Sequence, residues 1–557
     1  MTADRVAGWL KQNAALALLG LALLAAAAVL LDYASGLAPF QDSWEFLMNR
    51  RGFTAEAFLQ PHNEHIVVIP VAIDQLLLRL FGMGSAKPEF VVLTAFLLAT
   101  AVLVFAYVRR RIGPWPALMA AAVLLFLGPA WQDLLWPFEI GFVGSVLFGV
   151  AMLLALERDD RRGDIAACAF LALSIGFSSL GVAFALGAAV DVLQRRRRRG
   201  LRRVYVAALP LLLYAAWYVG WGRDAEGHFS IDNVLESPLF VLKSIVASID
   251  SLLALSTIAD EAVGRSKWGY AVLAIFVALI VYGWRRKRNF SPSLWPVLAS
   301  AAAFWFLGAF NYIPGREAYS SRYLYAGAAF VLLVAADLLA GVRFGKRALL
   351  AGGVITAVVV AFNLVPLREG RDFLRSQTAL TRADLAAIEI ARRSVDPSFA
   401  LTPEIAGTSF LNEIEAAEYL TAVDEYGSPA YSVAELASAP AAGRRQADVV
   451  LANALPVTTE FGVGDPGVAG RRRCVGVPGG TGTATPALRL RPGLTEIELV
   501  PGGPATIRLR RFATGEYPLE AEGVEGGSTT VLRIPRDGAA RPWRLQVDAA
   551  QRATVCR

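Results

Sequence analysis

The sequence predicts a polytopic α-helical membrane protein with an extracytoplasmic C-terminal α+β region that ends in a β-sandwich. Three observations carry that prediction. Of 557 residues, 55% are hydrophobic and the mean hydropathy is +0.47, well above a soluble average. Many apolar runs reach the ~18 residues needed to cross a bilayer, and they end before residue 367. Arginine tracts such as RRRRRGLRR (195–203) and RRKR (285–288) adjoin those runs, so the formal charge of +7 reads as membrane topology and not as a nucleic-acid surface.

A short basic start (Arg5, Lys11) precedes the apolar run from Ala14 to Leu31. The run is long for a signal-peptide core and more spans follow, so it reads as an uncleaved first helix. With a cytoplasmic N-terminus, residues 32–89 form the first external loop. Inside that loop, IVVIPVAIDQLLLRLF (66–81) is short and carries Asp74 and Arg79. Crossing there would place Arg109, Arg110 and Arg111 outside, so the segment reads as a helix lying at the interface. Residues 90–108 return inward, and spans follow at 115–131 and 138–156. Residues 165–194 are basic at both flanks and must enter and leave as two short helices turning near FSSLG (177–181). Residues 204–221, 268–284, 294–310, 323–340 and 348–366 are the remaining spans, with an amphipathic external or re-entrant helix at 238–262. This gives eleven membrane helices within residues 1–366. The cytoplasmic segments then hold 22 Lys and Arg against 10 in the external segments up to residue 366, as the positive-inside rule requires.

Residues 367–455 read as an extracytoplasmic helical region. REGRDFLRSQTALTRADLAAIEIARRSV runs to a stop at Asp396-Pro397, and a second helical pattern covers 409–426. Residues 456–557 change texture, with more Gly, Pro and Thr and alternating runs such as ATIRLRRF and WRLQVDA, which predict the β-sandwich. Cys474 and Cys556 stand near its two ends. In an oxidising compartment a bridge would staple them; the alternative is two independent thiols. Cys168 lies in a membrane helix as a small apolar filler.

The uncommon polar residues collect on the external side, including all three histidines. The span centres are nearly free of ionisable residues, whereas ion-coupled transport needs buried charge near the midplane. That favours chemistry at the outer membrane surface. Asp42, followed by Ser43, suits either a general base or the N-cap of WEFLMNRRGF, and Glu45 in the first turn suits the helix dipole. In PHNEH (61–65), His62 and His65 share a face if the segment is helical, and with Glu64 or Asp42 they form a conceivable divalent-cation set. Equally, they are hydrogen-bonding groups lining a cavity, or Asn63 caps the helix starting near Ile66. No other cofactor is indicated: no Walker loop, GxSxG elbow, GxGxxG fingerprint or CxxC pair occurs in a suitable context. GREAYSSRYLY (315–325) supplies Arg316 and Arg322, phosphate clamps or interfacial anchors, with Tyr319 and Tyr323 as their partners or as belt aromatics. Trp131 and Asp133 suit contact with a sugar ring, against the same aromatic-belt alternative.

The QDSW context of Asp42, two interfacial helices before the second span and a soluble domain after the last one resemble the GT-C superfamily of polyprenyl-phosphate-sugar-dependent glycosyltransferases. PHNEH and SRYLY also look like pieces seen in uncharacterised bacterial members. The resemblance covers the membrane part, about two-thirds of the chain, and is mainly architectural. It implies inverting transfer of a hexosyl or pentosyl group from a polyprenyl-phosphate-linked sugar to a cell-envelope glycan or glycolipid acceptor. The setting would be a bacterial plasma (inner) membrane, with Asp42 as general base. The donor's phosphate needs cations, for which Arg316 and Arg322 with Tyr319 and Tyr323 are the candidates. His62, Asn63, Glu64, His65, Trp131 and Asp133 would shape the cavity and the acceptor side. Many members carry two adjacent acids in the first loop; here Asp42 stands alone, with Glu45 one helical turn on. The alternative from another class is a lipid-linked glycan transporter or a non-enzymatic envelope assembly protein of the same architecture.

Overall fold

The computed structural model describes residues 3–225, 227–259, 267–287, 291–402, 405, 414–455, 457–461, 474–479, 487–490, 495–501, 503–515, 518–524, 530–539, 541–549 and 551–556. The chain forms two compact units. The first comprises Met1–Ser35, Arg50–Leu77 and Lys87–Phe373; the second comprises Gly36–Asn49, Leu78–Ala86 and Leu374–Arg557.

The first unit is helical. Among the described residues, five helices are long and apolar enough to cross a membrane: Asn13–Ala34, Lys87–Ile112, Pro137–Leu156, Ser321–Leu338 and Lys346–Ala391. Shorter apolar helices run Tyr205–Gly220 and Leu294–Phe310. Their composition explains them: Ala, Leu, Val and Phe fill the turns, and charge is held to the ends, save in Lys346–Ala391, which is charged from Arg368 onward. Arg109, Arg110 and Arg111, for example, occupy the last turn of Lys87–Ile112, where cations suit the helix dipole. The single span expected over 115–131 is instead a pair, Pro114–Leu125 and Gly128–Leu135, bent by 44°. Pro129 supplies the reason, since it has no N–H and its ring crowds the carbonyl one turn back. Gly128 allows a close crossing there, because a Cβ would fall 1.7 Å from the carbonyl oxygen of Asn363.

Residues 165–194 form two helices, Arg161–Phe177 and Gly181–Arg199, interrupted at Ser178, Ser179 and Leu180. The segment after residue 221 holds the amphipathic helix Ile231–Leu253, whose N-cap Ser230 side chain accepts a bond from the Asn233 N–H. It ends earlier than expected and is followed by Leu255–Ala259; residues 260–262 lie outside the described residues. Lys346–Ala391 is one helix of 46 residues, where a span ending at 366 and a separate helix were expected. Pro366 lies inside it, and the Leu-, Arg- and Ala-rich sequence beyond keeps the helical period through the proline.

Two buried charge clusters brace this unit. Asp337 accepts bonds from Tyr107 Oη (2.5 Å), Arg111 Nε (2.6 Å) and Ser293 Oγ (2.6 Å), and Arg111 also pairs with Glu157. Arg203 bonds Asp164 and Asp191 in the second cluster. Several partners around each charge are what makes burial tolerable.

The second unit joins helices to two antiparallel sheets. The strands are β1 (Thr458–Phe461), β2 (Cys474–Val477), β3 (Leu488–Arg489), β4 (Thr495–Pro501), β5 (Ala505–Arg510), β6 (Leu519–Val524), β7 (Thr530–Ile534), β8 (Arg544–Ala549) and β9 (Ala553–Cys556). They are ordered β1-β7-β4-β9-β2 in one sheet and β3-β8-β5-β6 in the other. Leu499, Leu532 and Val555 from the first sheet meet Ile507, Leu545 and Val547 from the second in one core, which is the definition of a sandwich. The same core takes in Trp44, Leu47 and Met48 of the helix Ser43–Asn49, Ile388, and Tyr419 of Ala416–Tyr426. Residues 409–413 of the expected 409–426 helix lie outside the described residues. Cys474 and Cys556 face each other in the β2–β9 register and are joined by a disulfide.

Candidate active site

PHNEH forms a tight two-residue turn, not a helix. His62 and His65 exchange backbone bonds in both directions, at 3.0 and 2.9 Å. Asn63 takes the left-handed conformation (φ 50°) that asparagine tolerates better than most residues. The following helix starts only at Val68, so Asn63 does not cap it. The rings pack on different partners: His62 meets Phe138 edge-on at 4.9 Å and His65 meets Phe142 at 5.5 Å. Among the described residues no three His, Cys, Asp or Glu side chains gather as a metal site.

The turn is held from both flanks. Buried Arg50 donates to the carbonyls of Gln60 (2.7 Å) and Pro61 (2.8 Å), and Trp217 Nε1 donates to that of Leu59 (2.7 Å). Ser179, in the break between Arg161–Phe177 and Gly181–Arg199, donates to the Glu64 carbonyl (3.3 Å) and accepts from the Ile66 N–H (3.2 Å). FSSLG reads in the sequence as the turn between two short helices; its Ser179 anchors the site.

Held in this way, Glu64 and His65 line one end of a cavity of about 320 Å³. Ser179 and Tyr323 border the same end. The remaining walls are mainly apolar and come from four helices, with Val182 and Ala183, Tyr214 and Tyr218, Phe240, and Phe304 and Leu307 as contributors. Ser244, Ser248 and Trp305 also face it. The sequence reading missed all three. The serines carry a faint signal, two small polar residues one turn apart on an amphipathic helix.

Arg316 crosses to this end, its Nη1 2.5 Å from Glu64 Oε1. Their side chains are 14% and 21% exposed. Burial works to raise the Glu64 carboxyl, but the His65 ring and the bonded Arg316 guanidinium outweigh it and hold the group below the usual carboxylate range. His65 is depressed to about 4: burial is the main cause, the charges of His62, Arg316 and Arg322 act in the same sense, and Glu64 opposes them. At neutral pH the site therefore holds an ionised acid–arginine pair beside a neutral imidazole. Arg322 bonds the Gly315 carbonyl (3.4 Å), and its guanidinium lies 5.5 Å from the Tyr323 ring centre. Arg316 and Arg322 stand beside Glu64 and His65 without lining the cavity, and the apolar walls can receive a hydrocarbon chain.

The other expected site residues lie elsewhere. Tyr319 borders a separate hollow of about 160 Å³ with Lys243 and Glu317. Trp131 packs edge-on against Phe373 at 5.6 Å and close over Gly370, and Asp133 is wholly buried; neither lines this cavity. Asp42 and Glu45 fall in the second unit, at the start of Ser43–Asn49, where the chain turns through Gln41 (φ 45°) and Trp44 is fully buried.

Fold and cavity together define a multi-pass helical membrane protein with a largely apolar cavity lined at one end by Glu64, whose carboxylate pairs with Arg316. No protein-family model matches the chain, and no curated protein matches its sequence. Among solved structures, it is similar to the single-particle cryo-EM structure of the arabinosyltransferase EmbB from Mycobacterium smegmatis, with 14% identity and a TM-score of 0.36. That likeness covers 96% of this chain, which spans 64% of the length of the other.

Proposed function

We propose that this protein is a glycosyltransferase of the bacterial plasma membrane. It would move a sugar from a polyprenyl-phosphate donor to a cell-envelope glycan or glycolipid, with the C-terminal region outside the cytoplasm. The observation that carries the reading is the cavity. Its mainly apolar helical walls suit a prenyl chain, and Arg316, bonded to the lining residue Glu64, stands where it could reach a phosphate headgroup.

Arg316, oriented by Glu64, is the phosphate clamp, and Arg322 adds positive potential at the same end. Glu64 makes a weak base, because the bonded guanidinium stabilises its charged form. Asp42 is the proposed general base, on its sequence context. The acceptor hydroxyl loses its proton to a carboxylate base while its oxygen bonds to the anomeric carbon. The anomeric C–O bond breaks, and its electron pair leaves with polyprenyl phosphate, inverting the configuration.

The test is transfer of radiolabelled sugar from a panel of polyprenyl-phosphate donors to cell-envelope acceptors by purified protein, with Asp42→Asn beside wild type. Wild-type turnover lost at least a hundredfold in a folded variant that still binds donor supports the reading. Equal turnover removes Asp42 from the base role. Absence of wild-type turnover across the panel overturns the transferase reading in favour of transport or assembly.

A further inference from the structure

The turn that presents Glu64 to the cavity has a second face. A separate groove of about 370 Å³ lies on the other side of it, bordered by Glu56, Gln60, Asn63, Trp221 and Asp224. Asn63 and Glu64 are successive residues, one in each wall, and Ala225 lines both spaces. A single two-residue turn therefore divides the groove from the charged end of the cavity.

We infer that this groove seats the acceptor, as the end of a neutral or amino-sugar glycan chain; the acceptor role rests on the transferase reading above. The lining chemistry points to a saccharide. Half-buried Trp221 offers an aromatic face for the C–H side of a sugar ring, and two carboxamides and two carboxylates can bond its hydroxyls. Among the described residues no lysine or arginine lines the groove, so a phosphate or a uronic acid would meet two carboxylates and no counter-charge. A divalent cation is disfavoured because, among the described residues, no third acid or histidine joins Glu56 and Asp224. The walls are also preformed. Arg50 holds the carbonyls of Gln60 and Pro61, and Trp217 ties Leu59 to the helix whose end carries Trp221. A rigid groove avoids much of the ordering cost of binding.

The test uses the full chain, purified in detergent and fluorescently labelled, on an array of neutral, amino and acidic oligosaccharides. Binding of a radiolabelled polyprenyl-phosphate sugar is measured in parallel. Wild type should retain neutral or amino oligosaccharides, and Trp221→Ala should weaken that retention about tenfold with donor binding within twofold of wild type. Gln60→Ala, at an exposed side chain, should weaken it in the same direction. Retention of nothing, of acidic sugars alone, or equal retention by Trp221→Ala overturns the inference. Retention abolished by a chelator overturns it in favour of a cation site. If the array binds and no donor does, the sugar site stands and the transferase reading fails.

Discussion

Replacing Arg316 tests the cavity's charged end directly. In the structure its guanidinium spends a bond on Glu64 Oε1 at 2.5 Å, and in the donor complex a phosphate oxygen would take over that bond. A charge-assisted hydrogen bond contributes roughly 1.5–3 kcal/mol. Because the two side chains keep 14% and 21% of their exposure, solvent screening trims this to about 1–2 kcal/mol. Arg316→Ala should then raise the Kd for a polyprenyl-phosphate sugar roughly 5- to 30-fold. Arg316→Lys should fall between, since it keeps the charge and loses the planar fork. Glu64→Gln should bind donor as well as wild type or better, because the competing carboxylate is gone while one acceptor oxygen remains to orient Arg316. The assay is equilibrium binding of radiolabelled donor to detergent-purified protein at fixed salt, with a melting curve for each variant. Donor binding by Arg316→Ala within twofold of wild type would refute the clamp. Equal weakening by Arg316→Ala and Glu64→Gln would recast the pair as a structural brace.

Two further outcomes are expected. His65 is depressed to about 4 in the folded protein against an unfolded value of ~6.5, so between those values the unfolded chain takes up a proton that the folded chain refuses. Its contribution, on the order of 3 kcal/mol, is fully present above pH 6.5 and is lost as pH falls towards 4; His65→Gln should flatten the melting profile across that window, and an unchanged slope would sink the assignment. Cys474→Ser with Cys556→Ser opens a bridge across 82 residues, which should cost the sandwich about 2–4 kcal/mol. Proteolysis of residues beyond 456 should accelerate in that variant, and equal resistance would contradict the expectation.

Hydropathy and charge locate most helices because they report on whole turns, and averaging over many residues suppresses error. FSSLG was readable as a break for a related reason: basic flanks at both ends of one apolar run require the chain to double back. Local periodicity fails where few residues decide. PHNEH is five residues long, so a helical reading rested on one spacing, and the competing signals were the proline before it and an asparagine suited to positive φ. Gly128-Pro129 carried a bend signal that a hydropathy window averages away. Pro366 misled in the opposite sense, as a boundary that the helix passes through.

The central pair of the site is legible only in part, for a geometric reason. Glu64 and Arg316 stand 252 residues apart, and no spacing rule reaches across that distance. What a membrane chain does supply is a restriction on side. Charges held out of the bilayer core meet only partners at the same end of the helices, so a side assignment alone shrinks the list of possible pairs. Two clusters pair residues that the arginine count assigns to one side. Glu64 meets Arg316, both from segments that the arginine count puts outside, and Arg111 meets Glu157 and Asp337 from segments or helix ends that it puts inside. Within the outer set, choosing Arg316 over Arg322 as the partner of Glu64 depends on side-chain reach within the folded unit. That choice is made by Arg50, Trp217 and Ser179, which fix the turn and thereby fix where the carboxylate points.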